Sequence, residues 1–286
     1  MKSFAFLNDS FVDYNEAKLH ISDLAIQRGY GIFDYLKTID GVPIFIQEHL
    51  DRFFNSAKAL HLPVRLGIEE LRNIIYKLIE KNNISISGMR LTLTGGFSED
   101  GYLLNSSNLF ITQQPLTLPS ADAFDKGINL MGIEHSRQLP SVKTIDYLKA
   151  ISLQPILREA RADDVLYYNK ETITECPRAN FFIVNEGNII VTPANDILHG
   201  ITRMKILEFA KKDFKIEIRD VPLEEIKFAK EAFITSTTKG ILPVSQINNH
   251  LISTTPGPVT ATLNNSLKSL IKEYQDLQLS TNSTKV

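Results

Sequence analysis

The sequence contains one cysteine, Cys176, among 286 residues. One cysteine cannot form a disulfide within the chain, and such sparse use of cysteine is typical of a reducing compartment. The chain also lacks an excess of either charge, because 31 lysines and arginines stand against 33 aspartates and glutamates. No overall electric field would recruit nucleic acid or anionic lipid. We therefore expect neither nucleic acid nor a membrane as a partner.

Long apolar runs are absent as well. None approaches the roughly 20 residues that a helix needs to cross a bilayer. The first residues, MKSFAFLNDSFVDYNEAK, hold a short apolar patch that Asn8 and Asp9 interrupt, which is too short for a signal peptide. These features predict a cytoplasmic protein. The hydrophobic content of 43% is ample for a core, and the length suits one large domain or two modest ones.

The first part of the chain predicts strands and two helices. FAFL and FVDY flank a polar turn, and the segment 31–46 reads as a second hairpin around Asp40-Gly41. Amphipathic helices are expected at 48–62 and 68–82, and strands at 89–96 and 108–114. The segment 115–125 carries two prolines and little pattern, so it predicts a linker. We expect a small domain at 1–118 and a larger, cofactor-binding domain at 119–286.

The second part alternates short strands with helices. A helix should end near Ala160, with Pro155 kinking or restarting it, and the tail 280–286 is expected to fray. The predicted strands are 128–135, 164–168, 172–175, 180–184, 188–193, 217–221 and 232–238, and the other predicted helices are 201–212, 224–230 and 260–277. Antiparallel hairpins and helices are mixed without regular βαβ alternation, which predicts an α+β fold in two parts.

Chemically capable residues recur at the ends of these elements. Lys143 stands where an extended run passes into a helix, and Glu175 ends a hairpin strand. Gly200-Ile201-Thr202 opens a helix, where free N–H groups favour an anion, and Ser236-Thr237-Thr238 follows a strand. Each feature alone has an ordinary structural explanation, such as a helix cap, a satisfied turn or a surface charge. Together they supply an amine, a carboxylate and several donors suited to phosphate.

The order and spacing of these motifs resemble the class IV, or fold-type IV, pyridoxal-phosphate aminotransferases. This family includes branched-chain aminotransferases, D-amino-acid aminotransferases and aminodeoxychorismate lyases. The resemblance covers nearly the whole chain. It is carried by QEHLDR (47–52), VKTIDYL (142–148), ITECPRANFFIV (173–184), HGITR (199–203) and ITSTTKGILPV (234–244). It implies a two-domain α+β fold like that of D-amino-acid aminotransferases, pyridoxal 5'-phosphate as the cofactor and no metal.

The resemblance also implies roles for single residues. Lys143 looks like the lysine that forms the internal Schiff base, with Lys149 as its rival, and Glu175 looks like the partner of the pyridine nitrogen. Tyr147 resembles the tyrosine that binds the ring oxygen. The remaining residues resemble phosphate ligands: Arg52, Ile201, Thr202 and Thr237. A lysine must be neutral to attack a carbonyl, and once displaced its amine can move a proton.

The substrate positions resemble branched-chain enzymes most closely. Phe33 stands where D-amino-acid enzymes carry a tyrosine, and Gly95 stands where they carry an arginine. Arg90 lies where branched-chain enzymes place an arginine that meets an acidic side chain or a carboxylate. Gly88 replaces the tyrosine that usually precedes this arginine by two residues, so carboxylate binding is expected to be arranged differently. Thr238 is a further candidate donor to the substrate.

These positions predict a transaminase that acts on L-branched-chain amino acids with 2-oxoglutarate as the acceptor. Aminodeoxychorismate lyase, which releases pyruvate with the same cofactor, is one alternative, and a D-amino-acid aminotransferase is another. A cofactor-binding protein without turnover is disfavoured, because Lys143 and Glu175 are both present. The partners are then an amino acid, a 2-oxo acid and a second copy of the chain in a homodimer.

Overall fold

The structure, a computed structural model, describes residues 3–252 and 255–283. Its helices are α1 (Leu24–Arg28), α2 (Ile46–Ala59), α3 (Ile68–Asn82), α4 (Ala121–Lys126), α5 (Leu148–Ser152), α6 (Gln154–Ala160), α7 (Ile201–Ala210) and α8 (Pro258–Ser283). Two short 3-10 helices are Tyr14–Glu16 and Leu223–Phe228. Among the described helices, none combines the length and apolar character needed to cross a bilayer.

The strands of the first half are β1 (Phe4–Leu7), β2 (Ser10–Asp13), β3 (Gly31–Ile39), β4 (Val42–Pro43), β5 (Ile86–Thr94) and β6 (Asn108–Pro115). Those of the second half are β7 (Ile128–Glu134), β8 (Asp164–Asn169), β9 (Thr172–Ile173), β10 (Glu175–Cys176), β11 (Ala179–Asn185), β12 (Ile190–Pro193), β13 (Ile216–Arg219), β14 (Val221–Pro222), β15 (Ala229–Ser236), β16 (Gly240–Ile247) and β17 (His250–Leu251).

The chain divides into two compact units. The first contains the described residues up to Thr117, Val142–Asp146 and the described residues from Glu273 onward, and the second contains Leu118–Ser141 and Tyr147–Lys272. The predicted domain boundary after residue 118 stays a prediction. The compact units differ from the predicted domains, because Val142–Asp146 and the end of α8 belong to the first unit.

The first unit is built on a six-stranded antiparallel sheet in the order β2-β1-β6-β5-β3-β4. Helices α2 and α3 cover the apolar face of this sheet. Leu71, Ile75 and Leu78 recur at helical spacing on α3 and are fully buried, together with Leu50 and Phe53 of α2. The apolar periodicity of these two helices therefore predicts their buried sides correctly.

The second unit contains a mixed eleven-stranded sheet. Its main order is β13-β12-β11-β15-β16-β7-β8-β9-β14, with β10 paired to β11 and β17 to β16. Successive residues of β11 enter different cores, since Phe181 packs in one cluster and Phe182 in the other. Helices α7 and α8 cover the side of Phe182. Burial on both faces explains why this strand has a continuous apolar sequence.

Most predicted elements are present, and the differences have local causes. The segment 115–125, predicted as a linker, contains α4, which Ser120 caps by accepting from the Ala123 N–H group. The second strand of the 31–46 hairpin is only β4, because α2 begins at Ile46. The helix predicted at 224–230 is a 3-10 helix that ends at Phe228, and β16 was not predicted.

Pro155 restarts the helix as expected, because it lies in the first turn of α6 after α5 ends. The tail that the sequence predicts to fray is helical as far as Ser283, and residues 284–286 lie outside the described residues.

Candidate active site

The predicted site residues are distributed over both compact units, and each set is described by itself. Phe33, Arg52, Arg90 and Lys143 belong to the first unit. The second unit contains the remaining six: Tyr147, Glu175, Ile201, Thr202, Thr237 and Thr238.

Lys143 is anchored in the first unit by its backbone. The Phe33 N–H group donates to the Lys143 carbonyl at 2.9 Å, and the Ile145 N–H group donates to the Gly31 carbonyl at 3.1 Å. The Lys143 N–H group donates to Ser56 Oγ at 3.3 Å. A Cβ atom on Gly31 would lie 2.9 Å from the Leu93 carbonyl oxygen, so glycine lets the chain pack closely here. The segment around Lys143 is thereby aligned along the start of β3.

The side chain of Lys143 lies beside two other predicted residues. Its Nζ atom is 4.3 Å from the centre of the Phe33 ring, and the guanidinium carbon of Arg90 is 3.8 Å from the same centre. Both contacts are within the range of cation–π interactions. Lys143 is half-buried, whereas Lys149 is exposed on α5. The first unit thus brings together Lys143, Phe33 and Arg90.

Arg52 belongs to a buried polar cluster that the sequence did not predict. Its Nε and Nη2 atoms each donate to Asp34 at 2.8 Å, and His49 Nδ1 lies 2.7 Å from Asp34 Oδ1. Arg52 and His49 hold the pKa of Asp34 well below its usual range. Burial lowers the pKa of His49, although Asp34 opposes this shift. His49 and Asp34 therefore orient the guanidinium of Arg52. His49 lies inside the QEHLDR motif, and Asp34 lies in β3.

Glu175 occupies a similarly polar position in the second unit. Arg137 Nη1 donates to Oε1 of Glu175 at 2.8 Å and to the Pro140 carbonyl at 3.0 Å. The Leu198 N–H group donates to Oε2 at 2.9 Å, and Asn180 Nδ2 lies 3.4 Å from the same oxygen. Glu175 is almost fully buried, and a buried carboxylate needs such donors to stay charged.

Three neighbouring strands align Glu175 with two further polar residues. Glu175 pairs with Asn180 across β10 and β11, and Asn180 pairs with Thr235 across β11 and β15. Directly opposed residues of antiparallel strands share a face. The Oγ1 atom of Thr235 is buried and has no hydrogen-bond partner among the described residues. An unsatisfied buried hydroxyl is costly, so this row is suited to receive a polar ligand.

The start of α7 supplies donors near the same row. Gly200 precedes the helix without a side-chain cap, so the first N–H groups have no side-chain acceptor there. A Cβ atom on Gly200 would lie 2.2 Å from Asn180 Oδ1, which explains the glycine. Ile201 and Thr202 are buried at this start, next to Arg203, whose Nη2 donates to the Pro193 carbonyl at 2.9 Å. Burial lowers the pKa of Arg203.

The remaining predicted residues lie at a turn and a helix start. Thr237 and Thr238 follow β15 in the turn before Gly240, where Ser236 Oγ is 3.4 Å from Thr238 Oγ1 and accepts from the Lys239 N–H group at 3.2 Å. Only Ser236 separates this turn from Thr235. Tyr147 stands before α5 and is half-buried.

This donor set fits pyridoxal phosphate. A phosphate group accepts from helix N–H groups and hydroxyls, which Ile201, Thr202 and Thr235 offer. A protonated pyridine nitrogen requires a charged carboxylate, which Glu175 provides. Sequence reasoning missed the supporting residues Asp34, His49, Arg137, Asn180 and Thr235. His49, Asn180 and Thr235 lie inside the quoted motifs, whereas Asp34 and Arg137 lie outside them.

Comparison with known proteins identifies the family to which this chain is similar. The family model described as amino-transferase class IV matches residues 31–247. A D-alanine aminotransferase of Staphylococcus haemolyticus is 28% identical, with 93% of this chain and 97% of the relative aligned. A putative branched-chain-amino-acid aminotransferase of Methanocaldococcus jannaschii is 30% identical, with 95% and 99% aligned.

Two solved structures share the architecture. The branched-chain amino acid aminotransferase of Escherichia coli superposes with a TM-score of 0.88 at 24% identity, covering 95% of each chain. A putative 4-amino-4-deoxychorismate lyase of Legionella pneumophila gives a TM-score of 0.82 at 25% identity, covering 90% of this chain and 96% of that one. The predicted α+β architecture of fold-type IV enzymes is confirmed.

Proposed function

The chain belongs to the class IV aminotransferase family, and from this membership we propose that it moves an amino group from an L-branched-chain amino acid to 2-oxoglutarate. Enzymes of this family use pyridoxal 5'-phosphate. When bound, this cofactor supplies an aldehyde that accepts the amino group and a ring that withdraws electrons.

We assign the proposed role of each residue from the hydrogen-bond donors and charged groups described in its own unit. Lys143 would hold the cofactor covalently, and once the substrate has displaced it, its Nζ would carry the proton from the substrate Cα to the C4′ carbon of the cofactor. Glu175, held charged by Arg137 and the Leu198 N–H group, keeps the ring nitrogen protonated. The phosphate is held by Arg52, Ile201, Thr202 and Thr237, and Tyr147 binds the ring oxygen. These contacts keep the reacting atoms aligned.

One observation carries the proposed substrate class. Arg90 and Lys143 both lie over the ring of Phe33, at 3.8 and 4.3 Å from its centre. A guanidinium beside the reactive amine suits a carboxylate of the substrate. The apolar ring of Phe33 suits a hydrocarbon side chain, which a tyrosine hydroxyl would disfavour. Thr238, in the turn after β15, is proposed as a second donor to the substrate.

Two alternatives have observations in their favour. The similarity to a D-alanine aminotransferase favours a D-amino acid as the donor. The similarity to a putative aminodeoxychorismate lyase favours release of pyruvate and 4-aminobenzoate. Phe33 and Gly95 oppose the first alternative, because neither side chain offers a polar group to a carboxylate.

A paired assay separates these possibilities. Purified enzyme with L-leucine and 2-oxoglutarate should form glutamate, whereas D-alanine with the same acceptor should react at least about tenfold more slowly. The magnitude corresponds to one lost charged hydrogen bond. Aminodeoxychorismate should release no pyruvate. Turnover of aminodeoxychorismate with inert leucine would refute the transaminase proposal in favour of the lyase.

The same preparation tests whether Lys143 is the lysine that binds the cofactor covalently. Borohydride should fix the cofactor to a peptide that contains Lys143 modified and Lys149 unmodified. Lys149 is the matched control, since it lies six residues away on an exposed helical position. Modification at Lys149 would contradict the assignment.

We also propose a homodimer in which a loop of the partner completes the pocket. The cytoplasmic location stays a prediction.

A further inference from the structure

One face of the β3–β5 pair carries Phe33 and Arg90 together with other side chains that the proposed reaction leaves without a role. The opposed residues in register are Phe33 with Thr92, Tyr35 with Arg90, and Lys37 with Gly88. Residues directly opposite one another on antiparallel strands have side chains on the same face. We call this set the cationic face, which consists of Phe33, Tyr35, Lys37, Gly88, Arg90 and Thr92.

Tyr35 crosses onto the neighbouring strand of this face. A Cβ atom at position 88 would lie 1.5 Å from the Tyr35 hydroxyl oxygen and 2.3 Å from its Cζ atom. Any residue other than glycine at position 88 would therefore displace the phenol. Burial raises the pKa of Tyr35, so the phenol is neutral near pH 7 and can donate a hydrogen bond.

The strand positions of the cationic face carry two basic residues, Lys37 and Arg90, and no acidic one on β3, β5 or the adjoining β6. Asp34 of β3 lies on the opposite face, where it binds Arg52 and His49 of α2. Lys143 extends the positive charge, because its Nζ atom also lies over Phe33. Burial lowers the pKa of Lys37, as expected where a charged amine lacks solvent. An anionic ligand at Lys37 would favour the charged form of this amine.

A hydroxyl on the same face is also unsatisfied. Thr92, opposite Phe33, is 4% exposed, and its Oγ1 atom has no hydrogen-bond partner among the described residues. Such a group is expected to meet a ligand or ordered water, because leaving it buried and unpaired is costly. The cationic face thus offers a donor that the protein itself does not use.

We propose that Tyr35 and Lys37 bind the distal carboxylate of a dicarboxylic substrate, and that Gly88 positions the Tyr35 hydroxyl for this contact. The inference rests on the proposed transfer reaction and specifies how its acceptor is recognised. Arg90 and Lys143 lie at the Phe33 ring, and Lys143 is the proposed reactive amine. Tyr35 and Lys37 follow at steps of about 6.7 Å along the strand, so they suit a second carboxylate farther from the amine.

Two five-carbon ligands that do not react test the binding site directly. Glutarate carries two carboxylates and pentanoate carries one, so the ratio of their dissociation constants reports the second carboxylate alone. Calorimetric titration of the holoenzyme should show glutarate bound at least about tenfold more tightly, the factor for one charge-assisted hydrogen bond. This measurement needs no turnover, so a failure of the proposed transamination would be recognised separately.

Tyr35→Phe removes only the hydroxyl and should reduce the glutarate preference by about tenfold. In the assay it should raise KM for 2-oxoglutarate by a similar factor, while kcat and KM for L-leucine change less than about twofold. Lys37→Met should act in the same way. Tyr76→Phe is the matched control, because burial also raises the pKa of this half-buried phenol on α3, and it should change neither ratio.

Gly88 is a positioning residue, and a double-mutant cycle tests that role. Gly88→Ala should reproduce the loss seen in Tyr35→Phe, and it should cause no further loss in a Tyr35→Ala background. Wild-type protein without a preference for glutarate would overturn the proposal. A preference that survives both Tyr35→Phe and Lys37→Met would overturn it equally.

Discussion

Glu175 and Lys143 are held by different kinds of contact. The backbone of Lys143 is held in place by hydrogen bonds to β3, whereas its side chain contacts the Phe33 ring. Glu175 depends on side-chain and backbone donors that surround its carboxylate. A backbone anchor tolerates motion of a long amine, which in the proposed reaction binds and releases the cofactor. A carboxylate that only stabilises charge benefits from rigid donors.

Glu175→Gln should therefore separate cofactor binding from turnover. The amide keeps the size of the side chain but cannot keep the ring nitrogen protonated, so kcat should fall at least about 100-fold, while the bound cofactor is retained through the phosphate contacts. Steady-state kinetics and the absorbance of bound cofactor measure the two effects. Glu186→Gln, at an exposed hairpin acid, is the control. Turnover unchanged in Glu175→Gln would refute the role of Glu175.

At the scale of elements, two helix starts show opposite solutions for unpaired N–H groups. Helix α7 begins after Gly200 without a side-chain cap, which suits a phosphate. The start of α8 is capped by the side chain of an acidic residue from another element. Glu231 of β15 accepts from the N–H groups of Val259 and Thr260 at 3.0 and 2.7 Å. A carboxylate at a helix N-terminus satisfies these donors and the helix dipole. The protein thus caps α8 with its own side chain and leaves the start of α7 without a side-chain cap, where we propose that the phosphate binds.

Glu231→Ala should destabilise the second unit by about 2–3 kcal/mol, because two backbone donors and the Thr260 hydroxyl lose a charged acceptor. The melting temperature should fall by about 2–4 °C for each kcal/mol. Differential scanning calorimetry measures this shift, and Glu224→Ala, at an exposed acid, is the control. If both variants had the melting temperature of the wild type, the capping role of Glu231 would be contradicted.

At the scale of the whole molecule, the proposed homodimer requires a contact surface, and exposed apolar side chains are the candidates for it. In the loop between β5 and β6, Tyr102 is 80% exposed and Leu103 is 66% exposed. Consecutive large apolar residues at the surface are typical of an interface. We infer that this loop contributes to the proposed homodimer contact.

Light scattering after size-exclusion chromatography should give twice the chain mass of 32.3 kDa. Leu103→Glu should shift the population toward the monomer and raise the dimer dissociation constant at least about tenfold, because a buried unpaired charge is costly. Leu251→Glu, at a similarly exposed leucine in the second unit, should leave the dimer intact. A wild-type chain that elutes as a monomer at micromolar concentration would refute the homodimer.

The local sequence alone determined much of this protein. Apolar spacing predicted α2 and α3, Pro155 predicted the restart at α6, and the motif order predicted the family and its cofactor. These features depend on residues a few positions apart, where helix periodicity and backbone chemistry act directly. Weakly patterned pieces such as α4 and β4 were misjudged, because their limits depend on caps and neighbouring elements.

Only the tertiary structure decided the contacts between distant residues. The support of Glu175 by Arg137, the Asp34–His49–Arg52 cluster and the placement of Tyr35 over Gly88 join positions on separate elements. Lys143 lies 87 residues from Ser56, which binds its N–H group. Such pairings arise from strand register and helix packing, which burial of the whole core selects and which no local pattern encodes.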